Sequence, residues 1–153
     1  MRAVIQRVRR AEVSVDGQTI GAIPAGLMVL VAVHRDDRLD SAAKLARKVA
    51  TLRILADEAG KMNRSLADLP AEKRHVLAIS NFTLYGDARK NRRPSFMLSA
   101  PYDAGRAGYE AFVEALRAEG VSVATGEFGA DMQVSLVNDG PVTLIMDIEP
   151  NDV

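Results

Sequence analysis

The chain has 153 residues, enough for one hydrophobic core and too few to divide comfortably into two. An apolar fraction of 48% with 26% charged residues excludes a disordered or fibrous polymer, and the absence of cysteine excludes disulfide frameworks, thiolate metal sites and cysteine nucleophiles. Lys and Arg total 20 against 20 Asp and Glu, so a polyanionic partner must be met by a local patch and not by the average field.

Val4, Gln6 and Val8, then Val13 and Val15, follow a period of two, and Asp16-Gly17 supplies the positive-φ pair of a tight hairpin. Gln18 to Ala22 is expected to return along the first strand. Pro24-Ala25-Gly26 breaks it, and Leu27 to Val33, continuously apolar and rich in β-branched residues, predicts a buried strand. Met1 to Arg10 lacks the apolar core of a signal peptide, and Leu27 to Val33 is far too short to span a bilayer. A cytoplasmic protein with no membrane partner is expected.

Past the presumed caps Asp36 and Asp37, the apolar residues Ala42, Leu45, Ala46, Val49 and Leu52 recur at helical spacing. Arg53 to Ala56, a turn at Asp57-Glu58-Ala59-Gly60 and Lys61-Met62 predict a short strand pair, and Val76 to Thr83 a second apolar strand. Tyr109, Phe112, Val113 and Leu116 then mark a second helix, stopped by Gly120. Val121 to Phe128, Met132 to Val137 and Val142 to Ile148 read as three strands, the last two joined by a turn around Asn138-Asp139-Gly140-Pro141. Strands in runs with two interposed helices predict a single α+β domain over residues 1–153, with largely antiparallel sheets. Gly-rich phosphate fingerprints are missing, so no cofactor is expected.

Four places can carry chemistry. His34 and His75, the two histidines, have no partner at metal-ligand spacing, and both are expected to be structural, with no metal bound. Ser80-Asn81-Phe82-Thr83 puts hydroxyls and an amide at the exit of a buried strand, where side chains leave the core and meet ligands. Ser and Thr there also commonly bond nearby backbone, and both readings stay open. Asn138 to Thr143 reads first as a hairpin turn, with the Gly-Pro pair able instead to present two rigid carbonyls side by side. Arg89, Lys90, Arg92, Arg93 and Phe96 give four cations and an aromatic ring in one loop, a composition suited to phosphate and base contacts or to a solvated surface.

Met1 to Val8, Ser80 to Tyr85, Arg93-Pro94-Ser95-Phe96 and Gly129 to Thr143, in that order and spacing, resemble the D-aminoacyl-tRNA deacylase family, once named D-tyrosyl-tRNA deacylases, and the resemblance runs nearly end to end. It implies a barrel-like α+β fold and hydrolysis of the ester between a D-amino acid and tRNA, glycyl-tRNA included. It also implies a homodimer in which Gly140-Pro141 of one chain, as a cis peptide braced by Arg7, enters the partner's pocket and bars L side chains. Ser80, Asn81, Phe82 and Thr83 would form the catalytic turn, its backbone amides serving the oxyanion while the ribose 2′-hydroxyl assists, and Thr83 matches a position once proposed as nucleophile. The family usually has Gln where this chain has Asn81, one methylene shorter, which implies a shifted backbone or an altered rate. The alternatives are a tRNA-binding dimer without catalysis and an assembly subunit that binds no tRNA.

Overall fold

A computed structural model describes residues 1–90 and 92–150; Asn91 of the basic loop and the C-terminal Asp152 lie outside the described residues. Strand β1 (Arg2–Val15) reverses through Asp16 (φ 50°) and Gly17 (φ 76°) into β2 (Gln18–Ile23), the positive-φ pair that Asp-Gly predicts. Strand β3 (Gly26–Ala32) pairs antiparallel with the first half of β1, from Arg2↔Ala32 to Val8↔Gly26, while β2 pairs with its second half. Helix α1 (Leu39–Thr51) and the small hairpin of β4 (Leu55–Ala56) and β5 (Met62–Arg64) lead to β6 (His75–Ser80). Helix α2 (Tyr102–Ala118), β7 (Ser122–Thr125) and the long β8 (Gln133–Asp147) complete the chain.

The main sheet runs β2-β1-β3-β6-β7, with β8 along the other edge of β1. Pairings of β1 with β2, β3 and β8 are antiparallel, whereas β3, β6 and β7 are parallel to one another. The sheet curls until β2 nears β7: a Cβ at Gly21 would lie 2.5 Å from the Thr125 carbonyl oxygen, so only glycine permits this near-closure into a barrel.

Alternation along the strands feeds two cores. Leu27, Val29, Val31, Val76 and Ala78 face the helices and pack with Leu45, Val49, Phe112 and Leu116. Met28, Leu77 and Ile79 point to the barrel interior, with Val8, Ala11, Val13 and Ile23. On β1 the inward positions change parity between Val8 and Ala11, where its register with β8 also shifts.

Several sequence expectations are corrected. Arg38, and not Asp36 or Asp37, occupies the N-cap position of the first helix, with no capping bond from its side chain; the Asp37 carboxylate instead accepts from the His34 amide at 2.6 Å. The strand expected over Val76 to Thr83 stops at Ser80, and that expected over Val121 to Phe128 covers only Ser122–Thr125. Asn138 to Pro141 does not reverse the chain: β8 passes straight through it, and both of its halves pair with β1.

Candidate active site

Asn81 takes the chain out of the sheet. Its N–H makes one last ladder bond, to the Val31 carbonyl at 2.8 Å. Its side-chain oxygen then accepts from the Thr83 amide at 3.2 Å and from the Thr83 hydroxyl, and its carbonyl accepts from the Leu84 amide at 3.3 Å. A short amide side chain that satisfies backbone locally competes with the ladder, so residues Phe82–Tyr85 wind into a 3₁₀ turn.

Because β3, β6 and β7 are parallel, their carboxyl ends arrive at the same edge. A cleft of about 660 Å³ opens there, lined by Val31 to Val33 at the end of β3, Ser80 to Thr83 at the end of β6 and Phe128 to Met132 after β7, with Tyr102, Gly105 and Tyr109 of α2 along one side. Crevices beyond the carboxyl ends of parallel strands are recurrent ligand sites. All four residues expected to be catalytic, Ser80, Asn81, Phe82 and Thr83, line it.

The chemistry available is that of backbone dipoles. The Thr83 hydroxyl gives its hydrogen to an amide oxygen, which is too weak a base to remove it, so no activated nucleophile is formed there. Tyr109 donates to the Ala78 carbonyl at 2.8 Å, and burial pushes its phenol up to about 12, which keeps it protonated. The first amides of a helical turn have no acceptor within the turn; Asn81 takes that of Thr83, and the Phe82 N–H has no acceptor in the turn. His34 lies elsewhere, beside Arg2, Tyr85 and Asp147, with its Nδ1 accepting from the Asp36 amide at 3.2 Å.

A second element stands apart from the cleft lining. Opposite Arg7 alone, β8 carries four residues, three more than a regular ladder: the β1 register runs from Gln6↔Thr143 to Val8↔Asn138, so residues 139–142 bulge out. The Gly140-Pro141 bond in this bulge is cis, and both residues are exposed. Gly140 has φ +120°, and a Cβ on it would lie 3.0 Å from an Arg7 guanidinium nitrogen, so no other residue fits without displacing the brace. Arg7 donates through Nε to the Asp139 carbonyl at 3.3 Å and through Nη1 to the Ile54 carbonyl at 2.8 Å. The Asp139 carboxylate lies between Arg7 and Arg9, at 3.3 and 3.1 Å.

The basic loop is folded across an Asp87↔Ser95 bridge. Arg89 is committed to Asp87 through two bonds, at 2.9 and 2.8 Å, which hold that carboxyl well below the usual carboxylate range. Lys90, Arg92 and Arg93 are exposed, and Phe96 packs edge-on against Phe82 with centroids 5.2 Å apart, tying the loop to the turn.

Sequence reasoning missed Tyr102 and Phe128 of the cleft and Arg9 beside the bulge, and it named Met132, Asn138 and Asp139 only as parts of longer stretches without a role. An aromatic directly after the helix-starting Pro101 was a usable signal for Tyr102; the others are brought in by contacts distant in sequence.

Residues 4–147 match the family model described as D-Tyr-tRNA(Tyr) deacylase. The chain is 57% identical to a D-aminoacyl-tRNA deacylase of Thermus aquaticus and 56% identical to one of Thermosipho africanus, each over 147 residues covering 96% of this chain and 95% and 97% of the relative. Among solved structures, a c-Myc DNA unwinding element binding protein superposes with a TM-score of 0.88 at 37% identity, covering 97% of this chain and 99% of that one. A probable eukaryotic D-amino acid tRNA deacylase has a TM-score of 0.84 at 16% identity, covering 96% and 98%, and shares the fold.

Proposed function

The chain belongs to the D-Tyr-tRNA(Tyr) deacylase family, and we propose that it removes D-amino acids from tRNA in the cleft beyond β6, as a cytoplasmic homodimer whose Gly140-Pro141 bulges close each other's sites. The observation that carries this reading is the union of an end-to-end family match with a cleft lined by all of Ser80 to Thr83.

Water adds to the ester carbonyl, negative charge develops on its oxygen, and the leaving group is a ribose hydroxyl of the terminal adenosine. A fixed N–H directed at that oxygen stabilises the transition state more than the ground state. The Phe82 amide is the donor for this role. Thr83 bonds to an amide and Tyr109 is held neutral, so these side chains do not serve as the base, and the neighbouring 2′-hydroxyl of the substrate is the group left to assist the water. Aromatic faces at Tyr102 and Phe128, whose centroids are 5.2 Å apart, suit the adenosine.

Discrimination is assigned to the bulge. Exposed Gly140 and Pro141 are followed on β8 by exposed Leu144 and Ile145, at 39% and 70%, uncovered apolar side chains that support pairing with a second copy. A wedge that rejects side chains of one hand has nothing to reject in glycine, so glycyl-tRNA is a substrate as well. Lys90, Arg92 and Arg93 are assigned to phosphate contacts, with Phe96 beside them, while Arg89 holds the loop.

The test is hydrolysis of D- and L-tyrosyl esters of the same tRNA. The D ester is cleaved faster by about 100-fold or more. Equal rates, or an intact D ester at stoichiometric protein, overturn the reading; tight, salt-dependent binding of uncharged tRNA with no cleavage would instead favour a binding module.

A further inference from the structure

The neck of the bulge is bridged by one side chain that belongs neither to the catalytic turn nor to the Gly-Pro pair. Where four residues of β8 stand opposite Arg7 alone, regular ladder bonds cannot form, and the carbonyls of Arg7 and Val142 are left on the two lips of the gap. The Asn138 Nδ2 group donates to both, at 3.0 Å each. Its Oδ1 accepts from the Thr143 hydroxyl at 3.4 Å, and that hydroxyl accepts from Gln6 Nε2 at 3.1 Å. The relay fixes the orientation of the amide, since a reversed Asn138 would set its oxygen against two carbonyls. Both hydrogens of one amide therefore tie β1 to the far side of the bulge, while Arg7 holds the near side through the Asp139 carbonyl.

We propose that Asn138 is a positioning residue for stereospecificity: by clamping the Arg7 and Val142 carbonyls it fixes the aim of the Gly140-Pro141 wedge, with Thr143 and Gln6 orienting the clamp. The proposal rests on the wedge reading given above. An amide is suited to this place because it alone among side chains of its size offers two donors and an acceptor; an aspartate of the same shape would face both carbonyls with oxygen.

The experiment compares wild type with Asn138→Asp, Asn138→Ala and Thr143→Val, measuring kcat/KM for D-tyrosyl-tRNA, L-tyrosyl-tRNA and glycyl-tRNA, with thermal melting on each protein. Loss of the clamp lowers the D-to-L ratio by about ten-fold or more in both Asn138 variants, through increased cleavage of the L ester, and Thr143→Val moves it the same way by a smaller factor. Glycyl-tRNA changes by less than the ratio does. A purely structural Asn138 would lower all three activities together and leave the ratio intact, which overturns the proposal. If the Asn138 variants do not fold, Thr143→Val decides: an unchanged ratio in it overturns the proposal. Equal D and L cleavage by the wild type would defeat the wedge reading itself, a result separable from any behaviour of the variants.

Discussion

The turn at Ser80 to Gly86 and the bulge at Asn138 to Thr143 are both departures from a strand, yet they are held in opposite ways. Bonds between near neighbours build the turn: Thr83 to Asn81, Leu84 to Asn81 and Gly86 to Thr83. The bulge has a local tie from Asn138 to Val142, but it is anchored to the sheet from far along the chain, by Arg7 on Asp139 and by Asn138 on Arg7, at separations of 132 and 131 residues. A donor made by local geometry survives changes elsewhere in the fold. A wedge made by distant contacts has an aim only as good as the packing of β1 against β8, so the two regions should fail differently: damage to the turn changes rate, and damage to the bulge changes selectivity.

The largest expected effect that sharpens this contrast is from Arg7→Ala. It removes a half-buried cation bonded to two carbonyls and leaves Asp139 with only exposed Arg9, at a cost of about 2–3 kcal/mol in urea unfolding. Selectivity between D- and L-tyrosyl-tRNA should fall by about 100-fold. Full selectivity with intact stability would show that the bulge does not depend on its distant brace.

Next comes Gly140→Ala. The positive φ and the contact with Arg7 force either the backbone or the guanidinium to move, at about 1–3 kcal/mol, and the D-to-L ratio should then fall by about ten-fold. Wild-type kinetics in this variant would mean that the bulge tolerates displacement and cannot be a close-fitting wedge.

Asn81→Ala probes the other side. The Thr83 amide loses its acceptor and the turn its cap, worth about 1 kcal/mol, and kcat should drop about five-fold with the D-to-L ratio unchanged. Asn81→Gln, one methylene longer, should also shift kcat and leave selectivity alone. A changed ratio in either would break the division between the two regions. Thr83→Val is expected to have the smallest effect, a drop of less than about five-fold, whereas loss of a nucleophile would cost about 10³ or more in single-turnover rates.

Much of the local structure was legible because its causes are local. Asp16-Gly17 gave the hairpin, Gly120 (φ 77°) the stop of α2, and the 3.6-residue period both helices, each through backbone preferences acting within a few residues. The same logic located Ser80 to Thr83 at a strand exit, although not the 3₁₀ turn, because Asn81 was weighed as a ligand contact and not as a cap. Parallel pairing of β3, β6 and β7 escaped sequence reading, since an apolar run is compatible with either direction and the choice depends on where the intervening helices pack.

Residues 138–143 mark the boundary of what the chain determines by itself. Asn-Asp-Gly-Pro has the composition of a reversing turn, and on local preference alone it is one. Tertiary structure decided otherwise: β1 is long enough to pair with both halves of β8, and eleven register pairs with that one partner keep the strand straight and expel the surplus residues as a bulge. Local sequence thus supplied the glycine at position 140, whereas the direction of the chain there was set by ladder pairs 119 to 145 residues apart, where many weak bonds acting together outweigh the preference of four.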